Sequence, residues 1–319
     1  MAGFIGNSLN IAVFVKLGFT EPSNISLIAL AVSDLSCMML SLWTTTGVLI
    51  SFGDFILPFN PTNLSHVTVG GMLSFATRTI AWITAFISFE RCLCILVPLK
   101  VKKIITPSST LTAMIIIVAL TFCPYFYAYF RFKFVWVFYP NLNTIILDIV
   151  PVDYFLRLEE TIIVICGVIY PLLAFSIVLI CTVFLVVQLK KISSWRKSVT
   201  STVGQWGDKS GENSAPISPP AKDRLSHKEE RLVKLVVVIA ATFIVSSTPT
   251  CVMLLCNVVF EEFSVFGVYR RIYVVLAFMA SLGQSVSGSV NILIYYNMAS
   301  KFRSNLRQLL RLDRQEHQK

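Results

Sequence analysis

The sequence predicts an all-α fold: a bundle of seven membrane-spanning helices with a short amphipathic helix on the cytosolic membrane face. Three observations predict it. Of 319 residues, 55% are hydrophobic and 14% charged, which is too apolar for an ordinary soluble domain. Seven apolar windows run at roughly 3–17, 24–50, 66–97, 110–130, 160–189, 232–258 and 270–297, six of them long enough to cross hydrocarbon. Lys and Arg crowd alternate connections, as the orientation rule for membrane helices requires.

Taken in order, the first window is short. At the helical rise it reaches only about 22 Å against about 30 Å of hydrocarbon, so an N-terminal piece is expected before Met1. A signal peptide is the alternative, but no basic segment precedes Phe4. The second window carries Asp34 at its middle, and the third ends on Glu90-Arg91 before Pro98-Leu99-Lys100. Pro124, Pro171 and Pro249 fall within the fourth, fifth and sixth windows, where each frees a carbonyl and kinks a helix. Residues 198–226, rich in Ser, Gly, Pro and Lys, read as a disordered cytosolic loop. The bundle thus occupies residues 1–297. In 298–319, Met298, Phe302, Leu306, Leu309 and Leu310 recur at helical spacing, flanked by Lys301, Arg303, Arg307 and Arg311. That is the pattern of a helix on an anionic membrane surface.

The net charge of +10 follows from the same topology. Basic residues follow the third, fifth and seventh windows, and acids outnumber bases on the other side. An outside N-terminus and a cytosolic C-terminus satisfy this, and nucleic-acid binding is not needed to explain the charge. Asn63-Leu64-Ser65 is a glycosylation sequon on the outer side. Six of the eight cysteines fall within windows and Cys92 and Cys94 at the cytosolic end of the third. The reading for all eight is a small buried hydrophobe. His66, His227 and His317 are scattered, and neither a metal-ligand spacing nor a glycine-rich phosphate loop occurs. No catalytic residue, metal or cofactor is therefore expected, and the chain reads as a non-enzyme.

Polar residues inside the windows carry the functional signal, because charge in hydrocarbon is costly and is kept where it acts. Asn7 lies in the first window, Asp34 in the second, and Asn291 and Tyr295 on one face of the seventh. A structural hydrogen-bond cluster and a cation or proton site are both open readings. Glu90-Arg91 ends one window and Glu229-Glu230 opens another, which makes a two-state latch at one membrane side. Arg78 is the odd charge of the third window. Three readings are open for it: it meets an anionic ligand group, it pairs internally with Glu159 or Glu160 as the candidate partners, or it snorkels to the membrane surface.

In this order and spacing, Gly6-Asn7, Leu30-Ala31 through Asp34-Leu35, Glu90-Arg91-Cys92, Pro98-Leu99, Pro171, Glu229, Pro249, Asn291 to Tyr295 and Phe302 resemble the rhodopsin-like (class A) G-protein-coupled receptors over essentially the whole chain. The resemblance implies switch roles for Glu90, Arg91, Glu229, Asn291 and Tyr295, and a G-protein contact at Leu99. Departures are also present. His66 stands near the usual first bridging cysteine, residues 131–157 hold no cysteine, and Ser247 stands where the sixth-helix tryptophan is usual. In these respects the chain is similar to the chemosensory-type receptors of molluscs and their peptide-receptor relatives.

The function expected is a multi-pass plasma-membrane receptor that binds an extracellular small molecule or peptide and activates a heterotrimeric G protein, with membrane lipids around it. A seven-helix channel or transporter is the alternative, with a truncated, non-signalling relative as a third. Matching broken repeats would mark a transporter, and none is visible in the sequence.

Overall fold

The computed structural model describes residues 2–51, 57–59, 61–128, 132–139, 143–151, 163–206, 227–260, 262–263 and 268–310. Nine α-helices are present among them: α1 (Ala2–Leu17), α2 (Pro22–Ser51), α3 (Pro61–Leu96), α4 (Pro98–Ile104), α5 (Pro107–Ala128), α6 (Tyr170–Trp206), α7 (His227–Val259), α8 (Arg270–Met298) and α9 (Ser300–Leu309). Six contain apolar segments long enough to cross a membrane, and α1 is a shorter apolar helix. This is the all-α seven-helix bundle that the apolar windows predict. Proline supplies the first residue of α2, α3, α4 and α5, where its missing N–H costs nothing and its φ suits the first turn.

Several Ser and Thr hydroxyls within the spans are satisfied locally. Ser33 donates to the Ala29 carbonyl at 2.9 Å, Thr84 to Ile80 at 2.8 Å and Ser88 to Thr84 at 2.9 Å. Each back-bond lets a polar residue sit in an apolar environment without an orphaned group. The core between the helices is built on Leu30, Ile83, Ile87, Leu185, Val236 and Ile294. Val245 on α7 and Phe278 on α8 point outward, about three-quarters exposed, as lipid-facing side chains do.

Three features depart from the sequence reading. An antiparallel hairpin, β1 (Phe132–Tyr139) and β2 (Thr144–Pro151), fills the connection between α5 and α6. Its aromatic and β-branched alternation suits a strand, and Leu147 N–H donates to the Pro58 carbonyl at 2.8 Å, tying it to the α2–α3 connection. Next, residues Ile163–Ile169 form a π-helical segment that leads into α6. Finally, α6 continues to Trp206, so the helix enters the stretch read as loop, and residues 207–226 lie outside the described residues. The hairpin marks one end of the bundle. The other end carries α4 and α9.

Candidate functional site

Asn7, Asp34 and Asn291 come together where α1, α2 and α8 meet. The Asn7 side-chain amide donates to the Gly3 and Gly288 carbonyls, both at 3.0 Å, and its oxygen accepts from Asn10 at 3.2 Å. Asn291 donates to Asp34 Oδ2 at 2.8 Å. All three are almost fully buried, so the Asn291 amide takes the place of water beside a carboxylate that hydrocarbon would reject. A Cβ at Gly288 would lie 2.8 Å from Met38 and 3.3 Å from Asp34. Glycine is what lets α8 approach this closely.

Tyr295 lies one turn further along α8, 1% exposed, and its hydroxyl has no partner among the described residues. Its ring packs edge-on to Phe14 at 5.1 Å and beside Phe302 at 5.5 Å, with Phe14 and Phe302 at 5.2 Å. This triangle joins α1, α8 and α9. Phe302 and Leu306 are therefore buried in the protein, while Leu309 and Leu310 stay exposed. The sequence assigned the whole apolar stripe to the membrane surface; half of it docks on the bundle because Phe14 and Tyr295 offer a better-packed aromatic surface.

Arg91 sits near the end of α3, 6% exposed. It is paired with the adjacent Glu90 and donates to Ser23 Oγ at 2.7 Å, so the first turn of α2 holds its free edge. Glu90 is 1% exposed, and its Oε2 has no partner among the described residues. Glu229, expected as a second anion, lies in the first turn of α7 with its side chain outside the described residues. Neighbouring Glu230 pairs with Lys234 at 2.8 Å.

Arg78, half-buried on α3, donates through Nη2 to the Gly167 carbonyl at 3.1 Å, inside the π-helical segment. Among the described residues its buried Nε has no partner, and neither has Nε1 of Trp82 one turn on. The Trp82 ring lies 4.5 Å from that of Tyr170. Glu159 and Glu160, the internal partners the sequence suggested, lie outside the described residues.

The remaining candidates are scattered. Pro171 stands at the change from π to α geometry, and Pro249 lies inside α7. Leu99 is the second residue of α4. Asn63 falls in the first turn of α3 with its side chain outside the described residues, and Ser65 of the same sequon is buried against Gly47 of α2. Sequence reasoning missed Ser23, Asn10, Trp82 and Gly167, whose relevance depends on which helices touch. Among the described residues no group of His, Cys, Asp and Glu has a metal-holding arrangement.

A bundle of apolar helices with buried polar contacts at its middle and an arginine held at one end defines a serpentine membrane protein. The chain belongs to the family described as serpentine type 7TM GPCR chemoreceptor Srw, whose family model matches residues 1–313. No curated protein matches it.

Proposed function

We propose that this protein is a plasma-membrane chemoreceptor that binds an external chemical cue or peptide and activates a heterotrimeric G protein. Its hairpin end faces outside and its α4–α9 end faces the cytosol. The reading includes the rhodopsin-like switch roles of Glu90, Arg91, Glu229, Asn291 and Tyr295, and the likeness to molluscan chemosensory and peptide receptors. The observation that carries it is Arg91, a guanidinium almost fully buried at the α9 end and held by Glu90 and by Ser23 of another helix. A buried charge with so few contacts is poised between two partner sets, and losing one charge-assisted bond of about 1.5–3 kcal/mol is enough to shift a two-state population tenfold or more. Membership of a chemoreceptor family favours this reading over a channel or transporter.

Ser23→Ala and Glu229→Ala are each expected to raise ligand-independent nucleotide exchange. Basal exchange unchanged in both, at matched surface expression, would count against the latch. A non-signalling relative would show no ligand-driven exchange in any variant. Leu99 supplies the apolar G-protein contact, worth about 1.5–3 kcal/mol if buried. Leu99→Asp is expected to abolish coupling while ligand binding persists. For the ligand, Arg78 Nε and Trp82 Nε1, without a partner among the described residues, support an acceptor-bearing group at α3, since unmet buried donors are costly. Arg78→Lys tests it: potency of acidic ligands should fall more than that of neutral ones.

A further inference from the structure

A cavity of about 340 Å³ opens between α7, α8 and α9, lined by Arg231, Lys234, Asn297, Met298, Ser300 and Arg303. Three of the six are cationic, two more bring side-chain hydrogen-bond donors, and none is acidic. Lys234 shares its charge with Glu230, whereas Arg231 and Arg303 make no ion pair among the described residues. The charge of the cavity is therefore unbalanced. Its depth is also defined. The apolar span of α7 begins at Glu230 and that of α8 ends at Met298, so the cavity lies at the level of lipid headgroups. The next helix, α9, keeps Leu309 and Leu310 exposed, consistent with acyl chains beside it.

We infer that this cavity binds the polyphosphorylated headgroup of an inner-leaflet lipid, bridging the start of α7 to the end of α8 and the first turn of α9. Arginine forks match phosphate oxygens bidentately, and Asn297 and Ser300 complete the set of donors. The volume exceeds what one phosphate fills and suits a phosphorylated ring. The inference rests on the reading that the α9 end faces the cytosol. Lipid retention, however, is read without ligand or G protein, so signalling can fail while this site holds, and the reverse.

The test uses the full chain in nanodiscs of phosphatidylcholine alone, with phosphatidylserine, or with phosphatidylinositol bisphosphate at matched total charge. Native mass spectrometry reads the lipid retained, and size exclusion checks that each variant is folded. The bisphosphate lipid should be retained in preference to phosphatidylserine, and the Arg231→Gln, Arg303→Gln double variant should lose at least about tenfold of that retention. Lys191→Gln, which removes an exposed charge of α6 outside the cavity, should lose none. Equal retention in the double variant, no preference over phosphatidylserine, or equal loss in Lys191→Gln overturns the proposal. If inositol trisphosphate in solution stabilises the protein in phosphatidylcholine discs as well as the lipid does, and loses that effect in the double variant, the phosphate chemistry stands and a free headgroup is its source. If the double variant keeps the lipid but loses affinity for purified G protein, the cavity is a protein contact and the inference fails.

Discussion

Asn291 and Asp34 place a buried amide against a buried carboxylate, 2.8 Å apart across two helices. Interhelical hydrogen bonds in membrane proteins are worth up to about 1–2 kcal/mol. Asn291→Ala is expected to lower the thermal midpoint of the purified receptor by that measure. A double-mutant cycle with Asp34→Ala should then return a coupling of about 1 kcal/mol. A cycle that closes with no coupling would mean the contact does not contribute. That Asp34 and Asn291 face other helices was readable from composition, since each is a polar residue set in an apolar window. The contact of Arg91 with Ser23 was not, because 68 residues separate them and nothing in a serine names its partner.

Among the elements, α7 and α8 approach closely at Gly283, where an added Cβ would lie 2.6 Å from the Ser246 backbone carbonyl. At Gly288 the nearest atom is instead the flexible end of Met38, at 2.8 Å. A methionine side chain can swing away and a helix backbone cannot. Gly283→Ala should therefore destabilise more than Gly288→Ala, by a margin of about 1 kcal/mol or more on the overpacking scale; the reverse order in thermal unfolding would contradict this geometry. Docking of α9 depends on Phe302, 1% exposed between Phe14 and Tyr295. Phe302→Ala removes about 3–5 kcal/mol of packing by analogy with soluble cores. Amide exchange across residues 300–309 should then rise while that of α3 stays slow. Uniform protection in the variant would show that α9 is held by the lipid instead.

For the molecule as a whole, most spans were legible within a few residues because a membrane span leaves an uninterrupted apolar signature, although α6 continues to Trp206, well past its apolar window. The hairpin was missed although Phe132 to Tyr139 alternates visibly. A short run of aromatics in a loop between spans is masked by the stronger signal on either side. Helix-to-helix placement of the polar residues was partly legible, through their resemblance to a receptor family. Their local partners were not, because carbonyls such as those of Gly167 and Gly288 carry no sequence mark. If the two bundle ends face opposite compartments as proposed, a protease added outside intact cells should cut between β1 and β2 and spare residues 207–226. Cleavage of the second region alone would invert the topology.

The π-helical segment at Ile163–Ile169 has a consequence for mapping the fifth span. Each α-helical residue advances about 100° around the axis, and a π turn accommodates one residue more than an α turn. A projection drawn backwards from Tyr170 at uniform pitch therefore falls out of angular phase by about 100° at the far end of the segment. Positions it assigns to the interior rotate toward the side, and some assigned to lipid rotate inward. Any scanning mutagenesis that seeks ligand contacts above Tyr170 must choose its positions from the unwound phase, in which the Gly167 carbonyl already turns toward Arg78.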